Sequence, residues 1–500
     1  MSTLPSVALP QIIREQARAR PTSPALRTRD STWTYEALSE VVGARSAALR
    51  ALELQPGAGV AVMAERSATT VISILAVVDA GLAWIPVNPD MPAARRDFVL
   101  ADSGAGALIE PGSEFALRRL TDVEGPLAET AAYVIYTSGT TGEPKGVEIS
   151  RGSLESLLEW STSEFAYRPD DVFSMVHSPA FDYSIWEMWN AFASGACLVV
   201  ADDHVVHDPH RLLDFLRTQQ VSVLHLVPSV LRRLVDAERG TGSGLPDCRL
   251  LVTGGEAFDL EATRTWCRRV PGEPPQVVNM YGPTECTIVA TFERIDVLAT
   301  TEARWTSIGN ILPDTTARIT DPSGADVHQG ESGELWISSA RIATGYVGRP
   351  ALTAERFVLD GNGARSYRTG DVVRRREDGC LEFVGRDDDQ VKIAGHRVEI
   401  GEVEQAVRSL DGIADCAVGV FTDARSAQRL GAVVVLDDAV DMTGREIRAR
   451  LVDRIALPVV PVRIVLVPTL PLSASSKVDR RAISRLLASD NPTLEEKTRG

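Results

Sequence analysis

The sequence predicts an α/β architecture, with a large layered domain over residues 1–387 and a small α+β domain over 388–500. Two observations carry this. Strand-like and helix-like periodicities alternate through the first part of the chain, the pattern expected of parallel sheets covered by helices. After Gly385-Arg386-Asp387-Asp388-Asp389 the alternation gives way to a short helix–strand–strand–helix set, and the acidic run at 387–389 marks the boundary. Length agrees, because 500 residues exceed what one hydrophobic core organises.

Taken in order, Val71, Leu75 and Val78 recur at helical spacing before Gly81, and an apolar strand follows over 83–87. Residues 131–136 form another short apolar run and empty into a loop of glycines and hydroxyls. A strand is expected over 221–227, a helix over 229–235, and a further strand over 249–252 that stops at Gly254-Gly255. In the small domain Val403, Val407 and Leu410 mark a helix, 416–421 and 430–436 are strands, and Ile447, Leu451 and Ile455 mark a second helix. Residues 489–500 read as a frayed polar tail.

Composition bounds the function. At 44% hydrophobic and 24% charged the chain can bury a large interior. With 52 basic against 68 acidic residues the net charge is −16, which argues against a general nucleic-acid binder. Apolar stretches are broken by charge or proline well short of a membrane span, and the first ten residues lack a secretory pattern. The six cysteines contain no C-x-x-C pair and read as reduced thiols, so a cytoplasmic location is expected. His204, His207 and His210 look like a metal cluster, but an irregular loop before a helix, with no completing Cys or acidic set, argues against one.

The most informative segment is Thr137-Ser138-Gly139-Thr140-Thr141-Gly142, followed by Lys145-Gly146. Glycines let the backbone turn its amides inward, the hydroxyls add donors, and Lys145 adds a mobile charge. That is a nest for phosphate oxygens. The spacing differs from a Walker loop. A polar surface turn is the bland alternative, and the strand leading into the loop favours phosphate.

Further motifs follow in a fixed order: Thr34-Tyr35-Glu36-Ala37-Leu38, Phe181-Asp182-Tyr183-Ser184-Ile185-Trp186-Glu187, Asn279-Met280-Tyr281-Gly282-Pro283-Thr284-Glu285, Gly333-Glu334-Leu335, Tyr367-Arg368-Thr369-Gly370-Asp371 and Gly385-Arg386-Asp387-Asp388. With the glycine loop and Lys477, this set resembles the adenylate-forming superfamily of acyl-CoA synthetases, luciferases and peptide synthetases. The closest resemblance is to a nonribosomal peptide synthetase adenylation domain. It implies ATP and Mg²⁺, a carboxylic acid substrate, and a small C-terminal domain that swings on a hinge at Asp388. The lack of a carrier segment after Lys477 implies a stand-alone enzyme serving a separate phosphopantetheinylated carrier protein.

The chemistry needs such residues. Attack of a carboxylate on the α-phosphate of ATP crowds negative charge, which positioned donors and cations must stabilise. The resemblance assigns Lys477 to the carboxylate and bridging oxygens, Glu285 to Mg²⁺, and Asp371 to the ribose hydroxyls. It places Gly255, Glu256, Ala257, Asn279, Tyr281, Gly282 and Thr284 around the nucleotide, with Arg386 near the ribose or phosphate. Asp182 is read as the partner of an α-ammonium group, against the alternative that it caps the helix beginning near Ser184. A fatty acid has no such cation, so the rival acyl- or aryl-CoA ligase reading is disfavoured. A non-catalytic nucleotide-binding protein is disfavoured by Lys477, Glu285 and Asp371 together.

The implied side-chain pocket comprises Tyr183, Trp186, His225, Val252, Gly254, Met280, Ile288 and Val289, with Asp182 and Lys477 at its ends. Limited volume and the lack of a counter-charge point to threonine, 2-aminobutyrate or valine. His225 either bonds a substrate hydroxyl or fills space as a neutral imidazole. His177 is a weaker candidate near the substrate carboxylate. The chain departs from the family pattern at Thr344, Ala394, Ser476 and the 457–461 segment, which bears on the small domain and the thioester step.

Overall fold

The computed structural model describes residues 8–110, 112, 115–120, 125, 127–138, 143–238, 244–301, 305–359, 363–388, 390–393, 395–423, 427–437, 440–455, 459–471 and 478–489. The chain divides into two units. One comprises Met1–Pro89, Val99–Tyr136 and Gly146–Asp387, and the other Asp90–Phe98, Thr137–Lys145 and Asp388–Gly500.

Among the described residues two large sheets build the first unit. In the seven-stranded sheet, Gly59–Met63 lies between Ala83–Val87 and Ala107–Ile109, parallel to both. Every residue of these three strands is buried, which explains their continuous apolar runs. The helix Ala68–Asp79 joins the first two as a crossover. Ser67 starts it, its hydroxyl accepting the Thr70 N–H, and Gly81 ends it in the left-handed region at φ +79°. Residues 83–87 match the expected strand, and the strand predicted over 131–136 runs one residue further, as Ala131–Thr137.

The larger sheet, of 14 strands among the described residues, is parallel from Cys197–Val200 through Val172–Met175, Val223–Leu226 and Leu250–Gly254 to Gln276–Tyr281. Beyond that it is antiparallel through Thr291–Ile295 and Ser307–Ile311. The switch has a simple cause, since the 282–290 turn is too short for a parallel crossover. Residue parity sorts its faces. Val223, Leu250, Val252, Val278 and Met280 join Tyr183 and Trp186 of the Tyr183–Ser194 helix in one core. Leu224, Leu226, Leu251 and Val277 join Leu212, Leu231 and Trp266 in the other. Helices therefore cover both faces.

The strand expected over 221–227 is shorter, because the Val221 N–H closes the preceding helix on the Leu216 carbonyl and Val227 occupies the N-cap of Pro228–Ala237. The histidine segment also differs from expectation. Asp203–Val206 is a short helix rather than an irregular loop, because the Asp202 side chain accepts the Val205 N–H.

The second unit contains a three-stranded sheet in which Ile413–Thr422 is antiparallel to Gln428–Leu436, itself parallel to Arg463–Leu466. Cys416, Val418, Ala432 and Val434 pack on Val403, Val407, Ile447 and Leu451. Ala417 and Val433, on the opposite face, pack on Ile483 and Leu487 of the Arg480–Ala488 helix. The helices Ile400–Arg408 and Gly444–Val452 end before Leu410 and Ile455, which are buried just past them. The tail beyond Ser489, with Ala394, Ser476, Leu457 and Pro458, lies outside the described residues. Among the described residues no helix is long and apolar enough to cross a membrane.

A polar clasp joins three parallel strands where they begin. Buried Asp171 accepts the Ser222 hydroxyl at 2.8 Å, the Arg249 Nε–H at 2.8 Å and the Arg168 N–H at 2.7 Å. Burial alone would raise its pKa, but the bonds from Arg249, Arg168 and Ser222 outweigh this and hold it below the usual value. Stability from such a depressed carboxylate is complete above roughly pH 4 and is lost as pH falls through the folded-state pKa. Asp171→Asn should lower stability by about 2 kcal/mol at neutral pH. In urea denaturation the gap from wild type should then narrow as pH falls below roughly 4. A gap independent of pH would exclude an ionised Asp171 as its source.

Candidate functional site

Parallel strands that end on one side of a sheet leave their C-terminal loops around a common crevice, where α/β folds place ligands. Here those loops are 176–182, Gly254-Gly255-Glu256 and the 282–290 turn. Strand register then decides which side chains meet. His225 stands opposite Val252, and Gly254 opposite Met280. The His225 ring lies 4.3 Å from Tyr183, 5.1 Å from Trp186 and 5.1 Å from His177, centroid to centroid. Ile288 and Val289 are buried in the same core. Thus the predicted pocket residues Tyr183, Trp186, Val252, Met280, Ile288 and Val289 share one core, with His225 against its rings and Gly254 under Tyr183.

Gly254 is dictated by Tyr183. A Cβ there would stand 2.7 Å from the Tyr183 hydroxyl and 2.6 Å from the Met280 carbonyl oxygen. Gly255, at φ +81°, turns the chain beneath the same ring.

Asp182 occupies the N-cap position of Tyr183–Ser194, yet its side chain makes no capping hydrogen bond. It is buried, and its Oδ2 accepts the Thr284 hydroxyl at 2.7 Å. The capping alternative is therefore set aside by geometry. Thr284, expected on the nucleotide, instead bonds Asp182. The turn that carries it is strained, with Thr287 at φ +52° and the β-branched Ile288 at φ +74°.

A second carboxylate, Asp371, lies on the long strand Arg365–Arg375 opposite Arg386. One of its oxygens accepts the Tyr281 hydroxyl, and the other pairs with the Arg386 guanidinium. Burial, then Asp371, pushes the Tyr281 phenol well above its ordinary pKa, so it stays a donor. Asn279 is buried and donates to the Ser307 carbonyl at 3.2 Å. Gly282 has no room for a side chain, because a Cβ would lie 2.4 Å from the Ile288 carbonyl oxygen. Glu285 is fully buried and accepts the Tyr346 hydroxyl at 2.8 Å. The Glu256 carboxylate is held by the Ser229 N–H at 2.8 Å and the Ser229 hydroxyl at 3.1 Å, so it braces the Pro228–Ala237 helix. Ala257 beside it is exposed.

In the second unit, Thr137 ends its strand with a buried hydroxyl that has no hydrogen-bond partner among the described residues, while the Ser138 hydroxyl donates to the Arg397 carbonyl at 2.7 Å. Lys145 is buried, and the Asp388 carboxylate accepts the Gln390 N–H at 3.1 Å. Gly139, Thr140, Thr141, Gly142 and Lys477 lie outside the described residues.

Sequence reasoning left one feature of this region unread. Glu187 accepts the backbone N–H groups of Val176 and His177, each at 3.3 Å, and its Oε1 lies 2.9 Å from His177 Nδ1. Burial pushes the Glu187 carboxyl up, while burial and nearby Arg66 push His177 down to about 3. Through these bonds Glu187 fixes the loop that presents Asp182. The acidic residue at one helical turn from Tyr183 was the available signal.

The sequence profile of the AMP-binding enzyme family matches residues 13–124 and 110–347, and that of the AMP-binding enzyme C-terminal domain matches 402–477. The chain belongs to the AMP-binding enzyme family. Syringomycin synthase SyrB1 of Pseudomonas syringae pv. syringae is 34% identical over 502 residues, covering 96% of this chain and 82% of SyrB1. The dimodular nonribosomal peptide synthase of Bacillus subtilis strain 168 is 35% identical over 519 residues, which are 96% of this chain but 22% of that protein. Among solved structures, holo-PA1221, an NRPS protein containing adenylation and PCP domains bound to a vinylsulfonamide inhibitor, superposes with a TM-score of 0.82 at 26% identity. That match covers 97% of this chain and 86% of PA1221. The amide bond synthetase McbA of Marinactinospora thermotolerans shares the fold, with a TM-score of 0.85 at 23% identity over 97% of this chain and all of McbA. This AMP-binding enzyme is thus related to nonribosomal peptide synthetase adenylation domains, with the mixed α/β fold and smaller C-terminal domain of that group.

The tight fit of Tyr183 on Gly254 gives a direct test of the pocket wall in this AMP-binding enzyme. Gly254→Ala should destabilise it by about 1–3 kcal/mol through overpacking against backbone. Gly254→Ala combined with Tyr183→Phe should recover part of that loss, since one of the two close contacts is then removed. Thermal unfolding of both variants measures this, and equal losses would mean that Tyr183 does not set the constraint.

Proposed function

We propose that this AMP-binding enzyme activates a small α-amino acid and then passes the aminoacyl group to the phosphopantetheine thiol of a separate carrier protein. The substrate would be threonine, 2-aminobutyrate or valine. Its carboxylate attacks the α-phosphate of ATP, the bond to the bridging oxygen breaks, and pyrophosphate leaves with the displaced electron pair. The thiol later attacks the acyl carbon of aminoacyl-AMP, releasing AMP.

The observation that carries this reading is Asp182. It is buried, makes no capping bond to its helix and accepts the neutral Thr284 hydroxyl, a setting suited to receive an ammonium group. Acyl and aryl acids offer no cation for it. Asp371, fixed by Tyr281 and Arg386, would accept the two ribose hydroxyls. Asn279, Gly255, Ala257 and Gly282 would border the adenine, with Glu256 acting through its backbone. Thr137, Ser138, the glycines of the loop and Lys145 would surround the phosphates, and the unmatched Thr137 hydroxyl supports that role. Glu285, a buried carboxylate, fits the habit of Mg²⁺ of taking one or two protein carboxylates alongside substrate phosphates. That ion would neutralise phosphate charge. In this reading residues 1–387 hold ATP and the amino acid, 388–500 carry Lys477, and rotation at Asp388 exchanges the two half-reactions.

Pyrophosphate exchange tests the proposal. Activity with a small amino acid is expected, and thioester should form on a holo-carrier rather than on coenzyme A. Asp182→Ala should lower kcat/KM for the amino acid by roughly 10²- to 10³-fold, about 3–5 kcal/mol for a buried pair that loses one partner. The ATP KM should change little, and equal weakening of both substrates would assign Asp182 a structural role. Lys477→Ala should cut adenylate formation by about 10²–10³ while ATP still binds. Wild-type exchange in that variant would refute the assignment of Lys477.

A further inference from the structure

We propose that the substrate side chain carries a hydroxyl group that hydrogen-bonds the imidazole of His225, so that the pocket selects a β-hydroxy amino acid of threonine size over its apolar isosteres. This rests on the reading of the crevice as an amino-acid pocket and narrows it to one class.

His225 is 1% exposed, and neither Nδ1 nor Nε2 has a hydrogen-bond partner among the described residues. A neutral imidazole carries one donor and one acceptor, and leaving either unmade in a buried site is unfavourable. Other buried groups are also unmatched, among them the indole N–H groups of Trp84, Trp189 and Trp266. Those rings bring large apolar surfaces to a core and leave a single donor each. His225 brings little apolar surface and leaves both of its nitrogens, so a leucine or phenylalanine would serve better as filler.

The groups around His225 do not complete it. His177 is the nearest other imidazole, but its Nδ1 is taken by Glu187. Tyr183 lies 4.3 Å away ring to ring, and Trp186 leaves its own indole N–H unmatched. Parity places His225 between Val223 and Val227 on the sheet face that carries Val252 and Met280, the wall assigned to the substrate side chain. The missing partner is therefore to be supplied by what the wall faces.

A hydroxyl is the smallest group that can accept the imidazole N–H or donate to its bare nitrogen. An anionic side chain is disfavoured. Burial, together with His177, keeps His225 neutral by drawing its pKa well below the usual value, and Asp182 stands at the start of the adjoining helix. The large buried rings of Tyr183 and Trp186 limit size, which favours threonine over tyrosine.

The test is pyrophosphate exchange with L-threonine, L-valine and L-2-aminobutyrate, using wild type, His225→Phe and His225→Gln, with thermal unfolding to verify folding. Wild type is expected to prefer threonine over valine by at least about tenfold in kcat/KM. His225→Phe should lower that ratio by about 10- to 100-fold, the range set by leaving a buried hydroxyl unpaired. His225→Gln, which keeps a donor and an acceptor, should restore part of it. The ratio is read within each variant, so a common loss of activity does not affect it. Wild-type preference for valine or 2-aminobutyrate would overturn the proposal while leaving the amino-acid reading in place, and so would an unchanged ratio in His225→Phe. If His225→Phe fails to fold, the wild-type preference and His225→Gln decide. Exchange with no amino acid would overturn both readings.

Discussion

A carboxylate removed from water must be given partners, and Asp182 organises its surroundings around that requirement. The residue sits where a helix cap would ordinarily be, and it forgoes that bond to face Thr284. Holding it there takes structure on two sides. Behind it, Glu187 gathers the Val176 and His177 amides and the His177 ring, which fixes the loop entering the helix. Arg66 adds a bond from its Nε–H to the Val176 carbonyl at 3.0 Å, so the loop is tied from outside as well. In front, Thr284 is presented by a turn that tolerates left-handed backbone at two non-glycine residues. Strain of that kind persists only where surrounding contacts over-determine it.

Asp371 shows the same constraint solved differently. Here the partners are a phenol and a guanidinium, so the carboxylate is oriented and charge-balanced before any ligand arrives. Asp182 has a neutral hydroxyl partner and Asp371 a cationic one. In the function proposed above, the first setting suits an ammonium group and the second a pair of hydroxyls. Two acids in one chain thus acquire different chemistry from their neighbours rather than from their own identity.

Much of this was legible in the sequence, for identifiable reasons. Strands buried on both faces, such as 83–87 and 131–136, announce themselves as unbroken apolar runs, and glycines after 254 and 281 mark the strand ends where loops form. The expected pocket residues came from the family resemblance, and alternation along Val223–Leu226, Leu250–Gly254 and Gln276–Tyr281 is what brings Val252 and Met280 to one face. What could not be read was pairing across distance. Nothing local to Glu256 foretells that Ser229 occupies its carboxylate, and nothing local to Thr284 directs it to a residue 102 positions earlier. The helix at Asp203–Val206 was missed because a single side-chain cap from Asp202 outweighs the weak propensity of two valines. The antiparallel half of the large sheet follows from the length of one turn, which periodicity does not report.

That same turn, 282–290, is where the two halves of the site become one object. Tyr281 at its start bonds Asp371, Thr284 bonds Asp182, Glu285 bonds Tyr346, and Ile288 and Val289 are buried in the core that holds Tyr183 and Trp186. Its ends are fixed by the ladder between Gln276–Tyr281 and Thr291–Ile295, and by the Ala290 N–H on the Tyr281 carbonyl at 2.8 Å. Within it, Gly282 packs so closely on the Ile288 carbonyl and Ala290 amide that no other residue fits without moving the backbone. Positive φ at Thr287 and Ile288 is the cost of closing so short a path while keeping both pocket side chains buried. A reaction between a carboxylate and a phosphorus atom depends steeply on their separation, with effective concentrations lost over a displacement of about 1 Å. In the function proposed above, one short turn carries groups of both halves, so the distance between them would be set by covalent chain and not by the mutual drift of separate loops.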